Sequence, residues 1–374
     1  MKIGFYAPMK HPGHPVPSGD RKIARLFIEL FESLGHEVKI LSLLSSWEGK
    51  GDTGEQEKHR RAISFDLDRL MNDEESRKLD LIFVYHVYHK SPDWIGLDLA
   101  RFLDIPYLIA EASFAPRQAE GQWAMGHERT RACILSADAI LCLNPVDEHC
   151  ISQLLPNSRA IETMRPFVAS PELRGDLPDR SSLVNVYGGL DPQSVWLICV
   201  AMMRSGDKLR SYRELSAALK SISGENWNLI VVGHGKRHRE VRALFSSIDD
   251  RCLFTGELAQ TQIAGWFRTA DCYVWPSVNE AFGMSLLEAT SYGLPTLSYD
   301  YGGVGTIIED GANGFLVHPE DRSLFTDRLK LLVSDQSTRS RMAAHAHRKF
   351  SSSHSLEAAQ IRICGILKQF DISS

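Results

Sequence analysis

Short apolar runs alternate with segments of helical period along nearly the whole chain, which is the pattern of α/β layering around parallel sheets. Residues 3–7 read as a buried strand, followed by a loop rich in Pro and Gly over 8–19. Ile23, Leu26, Phe27, Leu30, Phe31 and Leu34 then recur on one helical face over about residues 20–34. Gly35 stops that helix, and residues 37–43 return as a second strand. Further strands are predicted at 81–85, 107–110 and 139–143. The polar stretch 47–61 reads as a mobile surface loop running into a helix at about 62–78.

Between residues 166 and 182 the composition shifts, with Pro166, Pro171, Pro178, Gly175 and Asp176, and a domain linker is expected there. The layered pattern then restarts with a strand at 195–201 and a helix face formed by Leu209, Tyr212, Leu215, Leu219 and Ile222. More strands follow at 229–232, 253–255, 272–275, 296–298 and 315–317. The simplest account is α/β with two tandem Rossmann-like domains, 1–165 and 183–350, and a tail over 351–374. A length of 374 residues suits two domains. No internal sequence repeat relates the halves.

Composition narrows the class. Hydrophobic residues at 43% and charged residues at 24% describe a folded globular chain rather than a disordered one. Lys and Arg number 42 against 47 Asp and Glu, so no basic excess points to a nucleic-acid partner. Seven cysteines, at 133, 142, 150, 199, 252, 272 and 364, form no C-x-x-C pair and read as reduced thiols of a cytoplasmic protein. Lys2 is followed by Ile-Gly-Phe-Tyr-Ala and Pro8, too short for an export segment. The longest apolar run, 195–203, falls far short of the roughly 20 residues that span a bilayer. Peripheral contact at the inner face of a membrane stays open.

In open α/β sheets, ligands bind outside the carboxyl ends of strands, and with two such sheets the interdomain cleft is the expected site. Four segments occupy loops of that kind. In the first, Phe282-Gly283 makes a tight turn before a short helix from Met284, whose exposed amides would favour a pyrophosphate. Glu280 and Glu288 flank that turn and can hold hydroxyl groups on either side. In the second, Arg204 and Lys208 follow a strand end, where two cations can clamp a departing diphosphate. The third is the loop 15–20, with Ser18 and Gly19 ahead of a helix. His11 and His14 share it, but with His86 and His89 they fit no zinc spacing, and no metal is expected. The fourth comprises the strand ends carrying His86 and Glu111.

Residues 271–303, DCYVWPSVNEAFGMSLLEATSYGLPTLSYDYGG, closely resemble the E-x7-E region of glycosyltransferase family 4 (group 1). The likeness continues through IIEDGANGFLV at 307–317, VVGHG at 231–235 and FTG at 254–256, covering most of 195–320. The resemblance implies the GT-B fold and a retaining transfer of sugar from a nucleoside diphosphate sugar to an acceptor hydroxyl. The acceptor would be a glycan, a lipid-linked sugar or a small molecule, as in cell-envelope or polysaccharide synthesis. No metal or other cofactor is implied. Arg204 and Lys208 match the donor-phosphate cations; Glu280 would serve the sugar and Glu288 the ribose. Gly19, Gly233, Phe282, Gly283, Met284, Ser285 and Leu287 match donor-binding positions. The tail would cross back to the first domain.

Two departures stand in the N-terminal half. The family usually pairs glycines where this chain has Ser18 and Gly19. It commonly has a histidine where this chain has Glu111, so Glu111 takes over that contact, His86 supplies it, or another arrangement serves. These departures keep a non-catalytic nucleotide-sugar binding protein in view. An NAD-dependent dehydrogenase is disfavoured, because Ala7-Pro8-Met9-Lys10 stands where G-x-G-x-x-G belongs. The acceptor is not legible; its loops, 49–60 and 114–129, lie near Trp47, Phe114 and Trp123.

Overall fold

The computed structural model describes residues 1–16, 18–155, 160–171 and 178–370. They form two compact units, one of Met1–Arg165 with Leu356–Ser374 and the other of Pro166–Ser355.

The first unit is a six-stranded parallel sheet of β1 (Lys2–Tyr6), β2 (Glu37–Ile40), β3 (Leu81–Val87), β4 (Tyr107–Ala112), β5 (Ala139–Cys142) and β6 (Ile161–Thr163). Its strand order is β2-β1-β3-β4-β5-β6, so the direction of winding reverses between β1 and β3. The apolar runs of β3 and β4 are buried almost throughout, as strands covered by helices on both faces must be. The helix Gly19–Ser33 packs its predicted face on the sheet and opens at the carboxyl end of β1. Ser18 caps it, the hydroxyl accepting from the Arg21 amide at 3.2 Å. Pro17 lies outside the described residues.

The polar stretch expected as a loop is mostly helix, Thr53–Asn72. Asp52 caps it by accepting from the amides of Gly54 (2.9 Å) and Glu55 (3.0 Å). Glu57 pairs with Arg60 and Arg61 one turn on, at 2.7 and 2.8 Å. Few of its apolar positions are buried, which is why its first half shows no helical period; the helix expected at about 62–78 is its second half and ends earlier, at Asn72. The short edge strand β6 was also not predicted, and its residues are only partly buried.

The second unit is again a six-stranded parallel sheet: β7 (Val195–Val200), β8 (Trp227–Val232), β9 (Cys252–Gly256), β10 (Cys272–Val274), β11 (Thr296–Tyr299) and β12 (Gly314–Val317). The order β12-β11-β10-β7-β8-β9 reverses between β7 and β10, the winding of a dinucleotide-binding sheet. Two tandem Rossmann-like domains are therefore the architecture of the chain.

The expected linker needs correcting. Residues 172–177, including Gly175 and Asp176, lie outside the described residues, while Pro166 already belongs to the second unit. A helix, Arg180–Tyr187, begins within the span assigned to the linker, capped by Asp179 accepting from the Ser182 amide at 2.8 Å. The tail boundary also moves: the helix Gln336–Ser353 runs past residue 351, and the next helix, Leu356–Leu367, belongs to the first unit. There Arg362 donates to the Thr163 carbonyl at 2.9 Å.

Candidate active site

Each sheet offers a crevice at its winding reversal, outside the carboxyl ends of the strands. In the second unit the chain leaves β7 through residues 201–206 and turns at Gly206 (φ 81°) into the helix Asp207–Ser221. Arg204 lies in that loop, exposed, with no side-chain hydrogen bond or ion pair among the described residues. Lys208 lies in the first turn of the helix, not in the loop where its spacing placed it.

On the other side of the reversal, β10 gives way to residues 275–283. Ser277 (φ 54°) and Asn279 (φ 52°) both adopt the left-handed conformation, which costs a non-glycine residue roughly 1–2 kcal/mol. Two hydrogen bonds hold this fold-back against the helix Asp207–Ser221: the Val278 amide donates to Ser211 Oγ (2.9 Å) and Asn279 Nδ2 to Asp207 Oδ2 (3.1 Å). The result sets Glu280 against Lys208, the ammonium donating to the Glu280 carboxylate. The Lys208 ammonium also lies 5.8 Å from the centre of a Trp275 ring. Gly302 (φ 53°) backs this turn, and a Cβ there would collide with the Glu280 carbonyl.

Gly283 opens the helix Met284–Ser291 in the left-handed conformation (φ 76°, ψ 50°). It supplies no side-chain cap, so the first-turn amides keep their hydrogen-bonding capacity for an anion. Ser285 is anchored by the Tyr273 hydroxyl at 2.7 Å. Glu288 accepts from Gln260 Nε2 at 3.3 Å. Phe282 and Leu287 are buried core side chains, so a ligand could meet them only through backbone. At Gly233 (φ 137°) a Cβ would strike the Ala201 carbonyl; only glycine lets the loop after β8 lie against the loop carrying Arg204.

In the first unit, His86 (φ 65°) and Glu111 (φ 60°) occupy the next-to-last positions of the neighbouring strands β3 and β4, and both are left-handed. Such strain costs about 1–3 kcal/mol per residue and concentrates at functional sites. His86 Nδ1 lies 3.1 Å from Asp20 Oδ1 and 3.9 Å from Glu111 Oε1. Glu111 is 5% exposed, and its Oε2 has no hydrogen-bond partner among the described residues. Burial disfavours a charge on His86, yet the Glu111 and Asp20 carboxylates outweigh it and hold the imidazole well above its ordinary pKa. Burial raises the Glu111 carboxyl. The Tyr88 ring stacks on His86 at 5.1 Å. Asp147, at the start of the helix Pro145–Leu154, accepts from the Ser113 hydroxyl close by.

Sequence reasoning missed Asp20 and Asp147 as members of this cluster. Asp20 follows Gly19 directly, where it reads as an ordinary acidic residue in a helix's first turn. Of the aromatic residues near the acceptor loops, Trp47 is 46% exposed and donates to the Tyr88 hydroxyl at 3.0 Å. Trp123 lies under Lys90, whose ammonium is 4.5 Å from the ring, and Phe114 packs on His127 at 4.8 Å. Among the described residues, no three His, Cys, Asp or Glu side chains converge so as to hold a metal ion. No helix among them is long and apolar enough to cross a membrane.

Residues 200–349, which carry the whole Lys208–Glu280 arrangement, match the family model of glycosyl transferases group 1. That match falls wholly within the second unit. Alpha-D-kanosaminyltransferase of Streptomyces kanamyceticus is 25% identical to this chain over 209 residues, covering 55% of this chain and 54% of its own length. D-inositol 3-phosphate glycosyltransferase of Xylanimonas cellulosilytica is 34% identical over 128 residues, 33% of this chain and 31% of its own. The chain thus matches about half or less of the length of these relatives. Solved structures extend the fold comparison over both units. A Rickettsia africae glycosyltransferase gives a TM-score of 0.77 at 15% identity, covering 100% of this chain and 99% of its own. The sucrose-phosphate synthase of Thermosynechococcus elongatus gives 0.75 at 16%, covering 100% of both chains. Anabaena HepE, solved with UDP-glucose, gives 0.71 at 15%, covering 99% of this chain and 100% of its own. At such identity the likeness concerns the fold, which is that of GT-B glycosyltransferases.

Proposed function

We propose that the chain transfers a sugar, with retention, from a nucleoside diphosphate sugar to an acceptor hydroxyl, using no metal or other cofactor. The donor would sit on the second unit and the acceptor on the first. The observation that carries this reading is the pairing of Lys208 with Glu280 beside the uncapped helix Met284–Ser291, all at the carboxyl ends of β7 and β10. Breaking an anomeric bond builds negative charge on the leaving diphosphate and positive charge on the sugar ring. Lys208, Arg204 and the first-turn amides would take up the negative charge as it forms. Glu280 would hold the sugar hydroxyls and steady the ring, and Glu288 the ribose.

In this scheme the protein cations do the work of a divalent ion, and the departing phosphate assists in deprotonating the acceptor. UDP-glucose bound to Anabaena HepE supports a nucleotide-sugar donor on this fold. NMR of the anomeric centre in the product tests the stereochemistry: retention is expected, and an inverted linkage would refute it. Unchanged turnover in EDTA is expected, and loss restored by magnesium would refute metal independence.

A further inference from the structure

The loop between β2 and the helix Thr53–Asn72 runs across the carboxyl ends of β1 and β3, where the first sheet reverses its winding. The Ser46 amide donates to the Pro8 carbonyl after β1, and the Glu48 amide to the Lys90 carbonyl after β3, each at 2.9 Å. Between these two anchors stands Trp47, 46% exposed. Buried Glu48 fixes the next turn by accepting from the amides of Lys50 (2.7 Å), Gly51 (2.6 Å) and Asp52 (3.0 Å). A large exposed ring on a backbone pinned this closely is a built feature and not a loose side chain.

The ring itself is held too. Trp47 Nε1 donates to the Tyr88 hydroxyl at 3.0 Å, and Tyr88 in turn stacks on His86 with 28° between the rings. At Gly49 a Cβ would collide with the six-membered half of the indole, so only glycine leaves the ring where it is. With its N–H committed to Tyr88, the indole offers a ligand its face and not its polar edge. The Tyr88 oxygen accepts from Trp47, while its O–H donates to nothing among the described residues. An apolar face beside an unspent hydroxyl donor matches a pyranose, whose C–H bonds pack on aromatic rings while its oxygens take hydrogen bonds.

We propose that Trp47 and Tyr88 form a sugar-stacking subsite of the first unit, which seats a pyranose ring of a carbohydrate acceptor. Only the naming of that sugar as the acceptor rests on the transfer reaction proposed above; the subsite lies within one unit and needs no donor. A lipid surface fits less well. Leu43 and Leu44, earlier in the same loop, are also exposed, but an interfacial indole turns its N–H to the headgroups, and here that N–H is spent on Tyr88.

The test is indole N–H NMR on the full chain labelled at tryptophan, with the Trp47 signal assigned by its loss in Trp47→Phe. Methyl α-D-glucopyranoside, methyl α-D-mannopyranoside, N-acetylglucosamine and maltose, titrated without nucleotide, are the probes. At least one should shift the Trp47 signal saturably. Sugar-observed saturation-transfer NMR then follows the same sugar on the variants. Trp47→Ala should weaken it roughly tenfold, the worth of one well-placed aromatic contact, and Trp47→Phe, which keeps an aromatic face, should weaken it less. Tyr88→Phe should weaken it about two- to tenfold, as for one lost hydrogen bond. Trp47→Ala alone decides the matter if Tyr88→Phe does not fold.

No shift with any of these sugars, or binding that Trp47→Ala leaves intact, would overturn the subsite. A Trp47 signal moved by phosphatidylglycerol vesicles and by no sugar would overturn it in favour of a lipid surface. Where the bound sugar accepts transfer from UDP-, GDP- or ADP-glucose, its KM should rise in Trp47→Ala by the factor lost in binding, with kcat little changed. An unmoved KM would overturn the subsite and leave the transfer reaction standing. Sugar binding at Trp47 without transfer from any donor would count against the transfer reaction and not against the subsite.

Discussion

Lys208 and Glu280 lie 72 residues apart in the chain, yet their side chains meet as an ion pair where the winding of the second sheet reverses. The meeting is built by the fold-back between β10 and the helix Met284–Ser291, not by either residue's own propensity. Each side chain is about one-fifth exposed, so the pair is reachable by a ligand and only partly screened by water. A partly screened ion pair of this kind adds little to stability, and the proposed function gives it a role in the transfer.

Lys208→Ala and Glu280→Gln should therefore each lower the transfer rate by ~10²–10³, the usual cost of removing one well-placed transition-state group. Far-UV circular dichroism and the urea midpoint should stay near wild type. Near-normal transfer in either variant would remove that residue from the chemistry.

Gly302→Ala tests the backbone behind the pair. The left-handed backbone and the collision of a Cβ with the Glu280 carbonyl leave no relaxed solution. A loss of about 1–3 kcal/mol of stability is expected from the strain alone. It should come with weaker donor binding, because the fold-back that seats Glu280 must shift. Urea denaturation and a donor titration measure the two effects.

The pH dependence of stability follows from the first unit. His86 is raised in the folded chain, so its contribution is complete below the unfolded histidine range and is lost as pH rises through the raised value. Glu111 is also raised, so the folded state again binds the proton more tightly, and that contribution too is lost as pH rises, starting above the ordinary carboxylate range. Both act in one direction. The melting temperature should fall on going from neutral to alkaline pH, and His86→Gln should flatten the fall. An unchanged slope in that variant would place the alkaline loss elsewhere.

Much of this arrangement was legible in the sequence, and the reasons for success and failure are physical. The strands β1, β3, β7 and β8 are apolar because helices cover both their faces, so the runs declare themselves. The first half of the helix Thr53–Asn72 did not declare itself, because ion pairs and an Asp52 cap stabilise it with few buried side chains, whereas its second half lies in the helix expected from about residue 62. Glu280, Gly283 and Lys208 were visible through local motifs that survive in one dimension. Asp20 and His86 are 66 residues apart, and nothing in either neighbourhood announces the other; the parallel register of β1 with β3 brings them together. Ser18, which looked like a departure of consequence, has a local task as the helix cap.

The proposed function requires the crevice around Lys208 and Glu280 to hold a nucleoside diphosphate sugar. Thermal-shift titration of the full chain with UDP-, GDP- and ADP-glucose tests it directly, since a ligand stabilises the fold in proportion to its affinity. One donor should raise the melting temperature of the wild type, and Lys208→Ala should abolish the rise. No shift with any of the three, or an undiminished shift in Lys208→Ala, would contradict it.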